Sequence, residues 1–149
     1  MKIVVDTNIV FSAILNSSSR IAKILLHSKG HFQFFTCSYL RTEISKHRDK
    51  LLKLTNLKEE ALTELEILVT QNITFIDERL LPPELLLNTE ALLQSIDPND
   101  TPFVALVRHL QGKLWTGDMQ LYNGLKAKGF KEVLTTIELS LLLDDLGRE

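Results

Sequence analysis

The sequence predicts an α/β protein, a three-layer α/β/α sandwich around a central, mainly parallel sheet of about five strands. Three observations lead there. Short β-branched or aromatic runs alternate with amphipathic stretches along the whole chain, and the first run, Lys2-Ile3-Val4-Val5, ends in Asp6. No internal repeat interrupts the alternation, which is the pattern of a parallel sheet covered on both faces. With 149 residues, 44% of them hydrophobic and only 6 Gly and 4 Pro, the chain reads as one domain, 1–149, without linkers or low-complexity tails.

Taken in order, residues 2–5 form a strand that delivers Asp6 to the carboxyl edge of the sheet, where open α/β proteins bind ligands. Helices follow over 8–15 and 19–29, with Ser17, Ser18 and Ser19 as N-cap candidates and Gly30 placed to stop the second. The aromatic stretch 32–36 is a second strand. A helix over 39–50 carries Tyr39, Leu40, Glu43, Ile44 and His47 at spacings of three and four, so Glu43 lies in or beside the inward stripe. Asn56-Leu57-Lys58-Glu59 has the form of a capping box with Asn56 as cap, opening a helix that continues through Ala61, Leu62, Leu65, Leu68 and Val69.

Residues 73–76 read as a third strand, and Pro83 suits the first turn of a helix over 84–95. The turn Asp97-Pro98-Asn99-Asp100-Thr101-Pro102 feeds a helix that turns Phe103, Val104, Val107 and Leu110 inward and is ended by Gly112. Strand four spans 113–116. Gly117-Asp118, a helix over 119–128, a short strand at Val133-Leu134 and a box at Thr135-Thr136-Ile137-Glu138 complete the chain. Phe103 and Trp115 read as core.

Composition narrows the function. A net charge of −2 argues against a protein that coats nucleic acid with a broad basic surface. It leaves room for an enzyme that gathers acids in a site and lets bound cations invert the local charge. Cys37 has no second cysteine to pair with, and the apolar start is too short for a signal peptide. No run approaches membrane-spanning length, so a cytoplasmic protein without membrane contact is expected.

If the sheet is parallel, Asp6, Asp100 and Asp118 meet Glu43 at its carboxyl edge. Four carboxylates in one cleft repel one another and raise their own pKa values, an arrangement that makes sense with hard cations present. Mg²⁺ or Mn²⁺ suits an all-oxygen set of this kind. Taken singly, Asp6 and Asp100 could equally cap helices, Glu43 could be a solvated helix acid, and Asp118 an ordinary turn residue.

Val5-Asp6-Thr7-Asn8, Glu43, the run Asp97-Pro98-Asn99-Asp100-Thr101-Pro102-Phe103-Val104-Ala105-Leu106 and Trp115-Thr116-Gly117-Asp118 together resemble the PIN-domain family over nearly the whole chain. The resemblance implies a Mg²⁺- or Mn²⁺-dependent ribonuclease of the VapC type, the toxin of a toxin-antitoxin pair. Asp6, Glu43, Asp100 and Asp118 would be its catalytic, metal-binding quartet, and RNA ends with a 5′-phosphate and a 3′-hydroxyl its products. RNA is then the substrate, with an antitoxin protein and a second copy of the chain as partners. Asn8 and Thr116 match positions that support the site by orienting Asp6. Asp97 either caps its turn or extends the metal shell, and the turn is favoured.

Arg41, Lys46, Arg48 and Lys50 cluster around the Glu43 helix, with Lys53 and His47, and either meet RNA phosphates or form a solvated face. Two readings from other classes fit less well. A phosphoaspartate enzyme or receiver domain would want a second acid where Asn8 stands or a Lys at a later strand end, whereas strand five ends in Thr135-Thr136, and a dinucleotide-binding module would want a G-x-G-x-x-G, which follows no strand. The alternative within the resemblance is a non-catalytic PIN module that binds RNA or protein, which an intact quartet disfavours.

Overall fold

Ile3, Val4 and Val5 are fully buried, and the strand they form, β1 (Lys2–Val5), lies at the centre of the sheet. A computed structural model describes residues 1–147. After β1 come α1 (Thr7–Leu15), α2 (Arg20–His27), β2 (Gln33–Cys37), α3 (Tyr39–Lys46), α4 (Arg48–Thr55) and α5 (Glu59–Thr70). The second half contains β3 (Ile73–Ile76), α6 (Pro83–Leu93), α7 (Thr101–Leu110), β4 (Lys113–Trp115), α8 (Met119–Ala127), β5 (Val133–Leu134) and α9 (Thr136–Gly147). Short 3₁₀ turns occupy Glu78–Leu80 and Pro98–Asp100.

The strands run in the order β3-β2-β1-β4-β5, every neighbouring pair parallel. The chain therefore builds outward from β1 in one direction and then, through β4, in the other. This reversal leaves a crevice beyond the carboxyl ends of β1 and β4, the position where such sheets hold their ligands. The Asp6 N–H donates to the carbonyl of Trp115, the last residue of β4, at 3.0 Å, carrying the pairing one residue past β1. A hydroxyl from β2 joins them, since Thr36 Oγ1 donates to the Val5 carbonyl at 2.8 Å.

Helices cover the sheet as the alternation predicts, and the core includes Trp115 and Phe103, both fully buried. Trp115 satisfies its indole N–H on Thr136 Oγ1 at 3.0 Å, so burial of this large ring leaves no polar group stranded. The box at the start of α9 closes as expected: the Thr135 N–H donates to Glu138 Oε1 and the Glu138 N–H to Thr135 Oγ1. Cys37 is buried and free, and burial pushes its thiol well above the usual range, which makes it an inert packing residue. Among the described residues no single helix is long and apolar enough to cross a membrane.

Four local expectations are corrected. The helix expected over 39–50 is two helices, broken at His47, whose N–H is shared among the carbonyls of Glu43, Ile44 and Ser45. No proline or glycine marks this break. Asn56 is not an N-cap: it ends α4 in the left-handed conformation at φ 57°, and α5 starts after Lys58 without a side-chain cap. Helix α2 ends at His27, two residues before its expected limit, because the Ser28 carbonyl turns to receive the N–H groups of His31 and Phe32. Gly112 does not supply the left-handed residue that ends α7, since Gln111 does at φ 56°. Gly112 is needed for space, because a Cβ there would lie 2.7 Å from the Lys2 carbonyl oxygen.

Candidate active site

Asp6 is held by three donors. Its Oδ1 accepts from the Thr7 N–H at 2.8 Å as the N-cap of α1, and its Oδ2 accepts from Thr116 Oγ1 at 2.7 Å and Asn8 Nδ2 at 3.2 Å. These bonds favour the ionised carboxylate, yet burial outweighs them and pushes its pKa up to about 6, with the charges of Glu43 and Asp118 adding to the rise.

Asn8 and Thr116 fasten the two sides of the crevice together. Asn8 Oδ1 accepts from the Gly117 N–H at 2.9 Å, while Thr116 Oγ1 accepts from the Asp118 N–H at 3.0 Å. Thr116 is fully buried, so its hydroxyl is fully committed to this network. Asp118 then caps α8, its Oδ1 accepting from the Gln120 and Leu121 N–H groups at 3.0 and 3.2 Å. Its other oxygen has no partner among the described residues.

Glu43 arrives from α3 and is fixed by a residue to which the sequence reading gave no role. Thr7 Oγ1 donates to Glu43 Oε1 at 2.6 Å. Thr7 is the first residue of α1 and is buried, so the helix that Asp6 opens also positions Glu43. The signal was present in the sequence as a hydroxyl between two polar site candidates, on the first turn of a helix whose other side faces the core.

Asp100 differs from the other three. It stands at the start of α7 without accepting a capping bond, and its Oδ2 is buried with no hydrogen-bond partner among the described residues. Burial first, and then the charges of Asp6, Asp97, Asp118 and Glu43, together raise its pKa to about 8. A buried carboxylate oxygen without a partner is costly unless it holds a proton or meets a cation. Asp97 is exposed and its Oδ1 accepts from the Asn99 N–H at 3.0 Å, capping the 3₁₀ turn as favoured from sequence. Its carbonyl accepts from the Asp100 N–H at 3.1 Å, and its side chain acts on Asp100 as a nearby negative charge.

The four acids thus sense one another electrostatically, although no group of three or more acids, histidines or cysteines among the described residues forms a ready-made metal cage. Their donor set is all oxygen, and Glu43, Asp118 and Asp100 each keep at least one carboxylate oxygen free of other bonds. Such a set fits Mg²⁺ or Mn²⁺ in chemistry.

The basic residues divide. Arg48 donates to Glu59 Oε2 and Thr63 Oγ1, both at 2.6 Å, and lies 3.6 Å from Glu66; Arg41 is also 3.6 Å from Glu66 and stacks over Phe75. Both guanidiniums therefore tie α3 and α4 to α5. Lys46 and Lys50 form no ion pair among the described residues. Lys46 lies near the Tyr39 ring, and Lys50 lines a cleft with Asn8, Phe11 and His47.

The family model for the PIN domain matches residues 4–140, so the chain belongs to the PIN-domain family. That family consists typically of nucleases that generally use divalent metals. Among solved structures, the chain is similar to one described as VapBC2 from Rickettsia felis bound to a DNA fragment from its promoter. The TM-score is 0.68 at 16% identity, over 91% of this chain and 97% of that one, a likeness that shows the fold. No curated protein matches the chain.

Proposed function

We propose that this chain, acting as a single PIN domain over its length, is a Mg²⁺- or Mn²⁺-dependent endoribonuclease and the toxin of a toxin-antitoxin pair. The observation that carries the reading is the buried, unpartnered Oδ2 of Asp100 at the edge of a crevice shared with Asp6, Glu43 and Asp118. The VapBC2 assembly, similar in fold, motivates an antitoxin partner and a paired toxin. A cytoplasmic place of action belongs to the same reading.

Asp6, Glu43, Asp100 and Asp118 would hold the cation, which would neutralise the scissile phosphate and supply the Lewis acidity for its hydrolysis. Thr116 and Asn8 orient Asp6, Thr7 orients Glu43, and the α8 N–H groups orient Asp118. With its pKa raised to about 8, Asp100 favours its protonated form near neutral pH, and a cation held by the four acids would favour the carboxylate instead. Water adds to phosphorus, the bond to the 3′-oxygen breaks, and a 5′-phosphate and 3′-hydroxyl remain. The test is incubation of the purified chain, freed of any co-purified protein, with a broad RNA pool in Mg²⁺, Mn²⁺ or chelator. Metal-dependent fragments with 5′-phosphates are expected, and intact RNA in every condition would refute the reading.

Phosphate contacts follow from the division of basic residues. Charge reversal at Lys46 or Lys50 should weaken RNA binding uniformly across sequences and lower its salt slope by about one contact each. Reversal at Arg48 should instead lower thermal stability, because it places a negative charge against Glu59 and Glu66. Affinity titrations at several salt concentrations, paired with melts, separate the two effects.

A further inference from the structure

Beside the acids lies a cleft of about 360 Å³ that none of the groups described above uses, within the size range of small-ligand sites. Its walls are Tyr39, Leu86, Pro98 and Pro102, and its polar groups include the Asn99 amide and the Glu90 carboxylate. It opens on the carboxyl edge of the sheet. Tyr39 follows β2 at that edge, and Asn99 immediately precedes Asp100.

Three polar groups here are free of partners among the described residues: the Tyr39 hydroxyl, the Asn99 side-chain amide and the Glu90 carboxylate. Asn99 and Glu90 are exposed, so neither is a buried structural group. The Tyr39 ring is half-buried, tilted against Phe103 with centroids 6.5 Å apart, and the Lys46 ammonium lies 5.6 Å from its centroid. An aromatic face, apolar walls and unpaired edge readers are the components with which proteins take up an unstacked base of single-stranded RNA.

Resting on the ribonuclease reading for the nature of the ligand, we propose that this cleft is the subsite for an unpaired nucleotide next to the scissile phosphate, and that it selects a base bearing an amino group. Glu90 accepts hydrogen bonds only, so it pairs with the exocyclic amino group of cytosine, adenine or guanine, whereas uracil offers it only a ring N3–H flanked by two carbonyl oxygens that repel the carboxylate. Asn99 offers both a donor and an acceptor to the same edge. Lys46, beside the ring, faces the phosphate of the bound nucleotide.

The test reads binding separately from cleavage. Single-stranded oligo-C, oligo-A and oligo-U RNAs are titrated by fluorescence anisotropy against the full chain carrying Asp118→Asn, alone and with Glu90→Gln, Asn99→Ala or Tyr39→Leu added. Oligo-C and oligo-A should bind roughly tenfold more tightly than oligo-U. Glu90→Gln and Asn99→Ala, both at exposed positions that the fold does not need, should bring that ratio toward one, and Tyr39→Leu should weaken all three RNAs together. Unchanged ratios in the Glu90 and Asn99 variants, or no binding of any homopolymer, would overturn the subsite. The two readings fail separately: a chain that cleaves RNA with its base preference untouched by these variants loses only the subsite. One that binds with the expected preference but never cleaves loses only the nuclease.

Discussion

Asp118→Asn is expected to lower RNA cleavage by about a hundredfold or more while the protein remains folded. The amide oxygen can still accept from the Gln120 and Leu121 N–H groups, so the cap on α8 survives and only the charge is lost. Asp6→Asn should be as damaging to cleavage and less neutral to structure. The Asp6 carboxylate accepts on both oxygens from three donors, and an amide offers one accepting oxygen where two are used. Cleavage time courses with circular dichroism of each variant check this. A folded Asp118→Asn protein that cleaves at the parent rate would remove that carboxylate from the chemistry.

Without metal, the fold should lose stability as pH rises. Burial and nearby negative charges raise the pKa of Asp100 to about 8 and that of Asp6 to about 6 in the folded chain, both above the ordinary carboxylate value of 3.8. Between those limits the folded protein keeps protons that the unfolded chain has released. Stability is therefore fully present below about pH 4, falls as pH rises through 6 and 8, and levels off above. Asp100→Asn removes the larger part of that slope. In chelator it should melt higher than the parent at pH 9, and the gain should shrink toward pH 6, where Asp100 already carries a proton. In excess Mn²⁺ the order should reverse, because the parent gains stability from a cation the variant binds less well. Melts across pH, in chelator and in Mn²⁺, check both halves.

Much of the fold was legible because the signals are local. The runs at 73–76 and 133–134 are strands within their expected bounds, and the box at Thr135 closes on Glu138 as its spacing requires. Asp6 could be placed because a fully buried β-branched strand must end at an edge of the sheet, and Asn8 and Thr116 meet it there. The remainder depended on partners distant in sequence. Arg41 and Arg48 look like free cations until α5 brings Glu66 beside both. Asn56 satisfies the pattern of an N-cap, but its tolerance of the left-handed conformation also suits the end of α4, and the shorter helix won. Thr7 became informative only when Glu43 arrived against it from a helix 36 residues later.

The central claim is that Asp6, Glu43, Asp100 and Asp118 together bind a divalent cation, and thermal melts of the parent protein in chelator and in Mn²⁺ test it most directly. With Mn²⁺ about a hundredfold above its Kd, binding contributes about 2.7 kcal/mol, which raises the melting temperature of a protein of this size by roughly 5–10 °C. Asp118→Asn should shift much less under the same conditions. An identical melting temperature for the parent in chelator and in saturating Mn²⁺ would mean that the four acids do not form a cation site.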